Sequence, residues 1–173
     1  AQVDVDCTAP TLLRTLLMVD PAGVLEGDSS ISINFDLVFG HGLIRGTGPA
    51  QQITLLAGAT GSFPAPLGPG LPRIVDSRTF NNQGSLSWTG DNPLFLDSGA
   101  VFDNLSGGLF IAGGGGTRLV DSNLAGGPSF QNHGVFEVRD GATADIEPAF
   151  VNSGTANVVS GTLRLRGNGT DTG

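Results

Sequence analysis

The sequence predicts an all-β fold, a right-handed parallel β-helix (a β-solenoid), on three observations. One phrase of residues recurs, the apolar residues inside each copy alternate with a period of two, and glycine marks the points where the chain turns. The copies open at Phe80, Phe102, Phe130 and Phe150, spaced 22, 28 and 20 residues apart. Three of them read Phe80-Asn81-Asn82-Gln83-Gly84, Phe130-Gln131-Asn132-His133-Gly134 and Phe150-Val151-Asn152-Ser153-Gly154, and the fourth, Phe102-Asp103-Asn104, has one extra residue before Gly107-Gly108-Leu109-Phe110-Ile111. Coils of about 20–28 residues are too short to bury an apolar face alone, so they must stack on one another into a shared core.

Alternation within the copies predicts which side chains stack. One inward column is Leu86, Leu109, Phe136 and Ala156, a second is Trp88, Ile111, Val138 and Val158, and the four Phe residues make a third. Trp88 and Phe136 are therefore expected in the core. Ser85, Ser87, Glu137, Arg139 and Asn157 are expected to face outward. Asp140-Gly141 and Ser160-Gly161 are turn pairs leading into a further strand of each coil.

In that further strand of the last coils, Ala144 falls beside Leu163 and Ile146 beside Leu165 on the inside. Asp145 and Glu147 then fall beside Arg164 and Arg166 on the outside. The Phe-x-Asn-x-Gly phrase, together with Gly161-Thr162-Leu163-Arg164-Leu165-Arg166-Gly167-Asn168-Gly169-Thr170, resembles the repeats of bacterial autotransporter passengers and filamentous-haemagglutinin-like adhesins. The likeness covers roughly the C-terminal half. It implies a secreted or cell-surface solenoid and no particular activity, since coils of this kind carry adhesins, proteases and inert stalks alike.

Ahead of the regular coils, residues 1–75 are expected to form an N-terminal cap and irregular early coils, with residues 76–173 the regular β-helix. In residues 1–20, Leu12, Leu13, Leu16 and Leu17 have a spacing that suits one or two helical turns between Thr11 and Pro21, with a strand as the alternative. Either would cover the first coil. Farther on, Ile31, Ile33, Phe35, Leu37 and Phe39 alternate strictly, Ile53 to Ala57 forms a second apolar run, and Ile44-Arg45-Gly46 echoes Leu165-Arg166-Gly167. Residues 61–73 hold four prolines and are expected as a loop, as is the insert from Asp121 to Ser129.

Composition narrows the function classes. The net charge is −8 and the chain has no Lys, all eight cations being Arg. That balance disfavours nucleic acid and anionic membrane surfaces, both of which are bound through clustered basic residues. No apolar run is long enough for a membrane-spanning helix. Ala1 in place of an initiator Met fits a mature secreted protein or an excised piece. Cys7, the only cysteine, cannot form an intrachain disulfide.

The candidate chemistry is sparse. Asn82, Asn104, Asn132 and Asn152 share one repeat position and predict a structural amide ladder, with the next Gly supplying positive φ. His41 and His133 lie in no metal-like cluster, and His133 is expected as a solvent-facing turn residue. Gly113-Gly114-Gly115-Gly116-Thr117 lacks the aspartate of a calcium-binding repeat, and Asp4 and Asp6 are a lone pair. No nucleophile elbow or phosphate loop occurs, so no cofactor or metal is expected. The outer row of Asp145, Glu147, Arg164 and Arg166 suits a solvated charged face, or an acidic sugar in a polysaccharide-binding or polysaccharide-degrading β-helix.

The expectation is therefore a non-catalytic structural or adhesive segment of a secreted or surface-exposed bacterial protein. A polysaccharide-active β-helix is the alternative, and a surface glycan or host receptor is a further class of partner. Thr170 is expected where the next Phe is due, followed by an uncovered coil. Further coils of the same chain, or the N-terminal segment of an identical subunit in a fibre, are expected to stack there on Leu163 and Leu165.

Overall fold

The computed structural model describes residues 2–4, 9–20, 22–65, 72–121 and 127–173, and the side chains of residues 2–4, 117–119 and 121 are outside that description. The described residues form strands and turns only, and every strand pairing is parallel. The chain winds as a β-solenoid.

The first two passes each have one short and one long strand, β1 (Gln2–Asp4) with β2 (Thr11–Met18), then β3 (Val24–Glu26) with β4 (Ile31–Phe39). From the third pass each coil has three strands. These are β5 (Gly42–Arg45), β6 (Gln52–Leu55) and β7 (Thr60–Phe63); β8 (Arg73–Asp76), β9 (Thr79–Asn82) and β10 (Ser85–Trp88); and β11 (Leu94–Asp97), β12 (Val101–Asn104) and β13 (Leu109–Ala112). They continue as β14 (Thr117–Asp121), β15 (Ser129–Asn132) and β16 (Val135–Val138), then β17 (Ala142–Ile146), β18 (Ala149–Asn152) and β19 (Thr155–Val158). The last pass has β20 (Gly161–Leu165) and β21 (Gly169–Asp171).

Three faces result. The first strands of the coils form one eight-stranded sheet, β1-β3-β5-β8-β11-β14-β17-β20. The second and third strands form the other two faces, joined into one sheet because β4 bends across the corner between them. Its Ile31–Ile33 pairs with β6, and its Asp36–Val38 pairs with β7.

That bend explains two departures from the sequence pattern. Phe35 sits at the corner and points outward, 56 % exposed, with the Arg14 guanidinium 4.8 Å from its ring centre. The register between β2 and β4 also shifts between Leu13 and Thr15. Leu13 and Leu16 can therefore both face the core although three residues apart, an odd spacing that mimics a helix. The segment 11–18 is a strand. The early coils are bona fide coils: the Ile44-Arg45 piece is β5, laddered between β3 and β8.

Residues 61–73 divide. Gly61–Phe63 belongs to β7 and Arg73 opens β8, so both ends are strand and not loop, while residues 66–71 lie outside the described residues. Most of the insert expected as a second loop, residues 122–126, lies outside them too, as do Asp6, Cys7 and Pro21.

The core is built of columns. Phe80, Phe102, Phe130 and Phe150 stack with ring centres 5.3, 4.8 and 5.6 Å apart, as the repeat predicts. The neighbouring column differs from expectation. Phe110 and Ala112, not Leu109 and Ile111, stand between Leu86 and Phe136 and between Trp88 and Val138. The cause is the insert in the Phe102 copy: Gly108, rather than Gly107, holds the place of Gly84 and Gly134, which moves the following strand by one residue and reverses its faces. Trp88 and Phe136 are both buried, 1 % exposed.

The glycines after the ladder Asn residues serve a different purpose from the one expected. Gly84, Gly108, Gly134 and Gly154 are not among the positive-φ residues. A Cβ on Gly134 would lie 2.4 Å from the Gly108 carbonyl oxygen, and one on Gly154 would lie 2.2 Å from that of Gly134. Glycine is required because adjacent coils pass backbone against backbone. Positive φ occurs at the turns instead, at Asp140 (59°) and Gly141 (74°).

Candidate functional site

Two internal rows run through the regular coils and end at one place, the face formed by β19, β20 and β21. Asn82 is 0 % exposed, and its side-chain amide donates to Asn104 Oδ1 at 2.8 Å. Asn104 donates to Asn132 Oδ1 at 2.7 Å, and Asn132 to Asn152 Oδ1 at 2.7 Å. The second amide hydrogen of each reaches a main-chain carbonyl of the following coil: Leu109 at 3.1 Å, Val135 at 3.0 Å and Thr155 at 3.0 Å. Asn104 and Asn132 thus accept from the coil before and donate to the coil after, while Asn82, which opens the row, accepts from the Gly84 main-chain N–H at 3.2 Å. The row has a direction, and every buried amide in it is satisfied.

Asn152 continues the row by donating to Asp171 Oδ1 at 2.9 Å. Its other hydrogen finds only the Gly154 carbonyl, at 3.4 Å, where earlier rungs use the next coil. Asp171 escaped sequence reasoning because the last pass places Gly169, not Thr170, against Phe150, which sets Thr170 opposite Val151 and Asp171 opposite Asn152. The aromatic column stops at Phe150.

The surface there is apolar and unpaired. Among the described residues, β19, β20 and β21 each have a ladder partner on one side only. They border a groove of about 350 Å³ lined by Phe150, Ala156, Leu163, Leu165 and Asp171. Leu165 and Val158 are each 50 % exposed, and Val159 is 66 % exposed. Such an edge offers main-chain donors and acceptors beside bare core side chains, which is a template for another strand. At the opposite end, β2 pairs, among the described residues, only with β4 and exposes Leu12 and Leu17.

The outer charged row is assembled much as its spacing predicts. Ala144, Asp145 and Ile146 stand opposite Leu163, Arg164 and Leu165. Asp145 is 5 % exposed and is gripped bidentately by Arg166, Nε to Oδ1 at 2.5 Å and Nη2 to Oδ2 at 2.8 Å, with Arg164 Nη1 3.9 Å from Oδ2. Glu147 is exposed on the same strand end. The hydrogen bonds from Arg166, reinforced by the charges of both arginines, outweigh burial and hold the Asp145 carboxyl below its ordinary pKa. Arg45 bridges coils in the same way on the early part of this sheet, 3.8 Å from Glu26 and 3.4 Å from Asp76.

An acid whose folded pKa is depressed stabilises the fold above its unfolded pKa, and the contribution is lost as pH falls through the folded value. Urea titrations should therefore show stability falling below about pH 4, and Arg166→Ala should flatten that acid limb while lowering the midpoint at pH 7. An acid limb unchanged in Arg166→Ala would place the titration elsewhere.

The histidines are held structurally. His133 Nδ1 lies 2.8 Å from Asp103 Oδ1 with the ring side chain 37 % exposed, a turn residue as expected though paired with a carboxylate. His41 is buried, with Nδ1 3.2 Å from Asn92 Nδ2. Among the described residues no three His, Cys, Asp or Glu side chains converge as metal ligands would.

Sequence reasoning also missed two buried arginines, each 0 % exposed, because arginine normally marks the outside of a strand. Arg73 donates to the Phe39 and Pro64 carbonyls, and to that of Asn92 at 2.8 Å, with its guanidinium 5.3 Å from the Phe63 ring centre. Arg78 donates to the Gly27 and Ser29 carbonyls two coils away. Burial pushes its pKa down, opposed by Asp28. Both tie the irregular early coils together from the inside. No protein family, curated protein or solved structure matches the chain.

Proposed function

We propose that this chain is a non-catalytic structural segment of a secreted or cell-surface bacterial solenoid, serving as a scaffold or adhesive stalk whose last coil carries another. One observation supports the reading above the rest. The amide row and the apolar columns run without interruption from the middle of the chain to a face of three half-paired strands, so the molecule is organised along its axis and not around a cleft. Each added coil gains main-chain hydrogen bonds, a rung and an apolar layer from its neighbour, which is how a solenoid acquires length and stiffness. The likeness of its repeats to autotransporter passengers and filamentous-haemagglutinin-like adhesins agrees with an extracellular setting.

The polysaccharide-active alternative would draw on Arg164, Arg166, Asp145 and Glu147. A general acid for glycoside cleavage needs a raised pKa and a second carboxylate across a cleft. Asp145 is instead held ionised by two arginines. Incubation with pectin, alginate, xylan and chromogenic esters is expected to release no product above background. Release that disappeared in Glu137→Gln, Asp145→Asn or Glu147→Gln would establish the enzyme and overturn the scaffold.

A further inference from the structure

The open face is not chemically neutral about what stacks on it. Asp171 occupies the amide-row position but, as a carboxylate, accepts only. It already receives Asn152 Nδ2 at 2.9 Å and the Gly173 main-chain N–H at 3.3 Å, and unlike the rungs before it has no hydrogen to pass on. An asparagine arriving in the orientation of the other rungs would meet it oxygen to oxygen.

The strand β2 at the opposite end fits no better. Tracing the row backward from Asn82 gives Leu55, Ile33 and Leu13. A second copy docked end to end in the register of the coils would therefore set Leu13 over Asp171 and Thr11 over Gly169. The Asp171 carboxylate would be desolvated beneath the Leu13 methyl groups while the neighbouring cation, Arg14, is turned onto the Phe35 ring, a costly arrangement for a buried acid.

We propose that the C-terminal face receives a polypeptide strand carrying arginine or lysine over Asp171, and not a second copy of this chain. The inference rests on the stacking role proposed above and names the chemistry of the occupant. A cationic donor neutralises the carboxylate and supplies the hydrogen bond that the reversed row demands. The fold already makes both arrangements between coils. Arg166 clasps Asp145 of the preceding coil, and Arg73 and Arg78 lie fully buried between coils against main-chain carbonyls. With a net charge of −8, the molecule as a whole also attracts a basic segment and repels its own copies.

The test uses the full chain and synthetic peptides of the sequence of residues 149–158, with the residue at the position of Asn152 set to Arg, Asn or Leu, and a fourth peptide of residues 9–20. Hydrogen exchange of the β19 and β21 amides is followed against peptide concentration. Half-maximal protection by the Arg peptide is expected at about tenfold lower concentration than by the others. In Asp171→Asn, which restores a donor at the end of the row, the Asn peptide should become the best of the four. Equal protection by all four peptides, a preference for the 9–20 peptide, or an unchanged ranking in Asp171→Asn would overturn the cationic occupant while leaving stacking intact. If no peptide protects these strands at any concentration, the stacking role falls and this inference falls with it.

Discussion

Replacing Phe110 by Ala is expected to cost about 3–5 kcal/mol, the range for emptying an aromatic site in a packed core. Phe110 is 0 % exposed and its ring meets five others: Phe63, Trp88, Phe102, Phe130 and Phe136. Four successive coils, and both Phe columns, join through that one ring, so little of the cavity can close by relaxation. Leu109→Ala, one residue away on the half-exposed side of the same strand, should cost about 1 kcal/mol or less. Denaturant titration of the pair decides the register. If Leu109→Ala proved the more damaging, the strand would face the way that the uncorrected repeat alignment predicts.

Asn104→Asp should be nearly as damaging at neutral pH, on the order of 3–5 kcal/mol, because it leaves a buried charge with no opposite charge beside it. Asn104 is 0 % exposed and donates to Asn132 Oδ1 and the Val135 carbonyl, so a carboxylate there would confront two acceptors. Its pKa would be raised, and stability should recover as acid protonates it and restores a donor. Asn104→Ala, about 2–3 kcal/mol, leaves unsatisfied partners but no charge and should show no such recovery. Denaturant midpoints at pH 7 and pH 4 check both. Wild-type stability of Asn104→Asp at pH 7 would mean that the row carries no directional bonding.

Much of this architecture was legible because a stacked fold repeats its constraints. Each coil asks for Phe, Asn and Gly at the same places, and the recurrence of Asn82, Asn104, Asn132 and Asn152 names the amide row without reference to coordinates. What the pattern concealed is local. The insert before Gly108 carries no mark showing which glycine resumes the repeat; only the clash of a Cβ with the neighbouring backbone identifies it, and Phe110 follows from that choice. The bend in β4 let Phe35 keep an alternating position while turning outward. Arg73 and Arg78 are inside because corners between irregular coils leave carbonyls facing inward, a demand no periodicity records. Asp171 stayed hidden because Gly169 fills the Phe position, so the phrase that flags a rung is missing from the last pass.

The central claim is that each coil is held by its neighbours and that β19, β20 and β21 are held on one side only within these 173 residues, and native-state hydrogen exchange of this chain tests it most directly. Amides of β12 and β15, laddered on both sides, should exchange together and only through global unfolding. Amides of β19, β20 and β21 should exchange orders of magnitude faster through local opening of the half-paired coil, with β18 intermediate. Protection in β19–β21 equal to that in β12 would contradict the account, since it would mean that the final coil is already complete without anything stacked upon it.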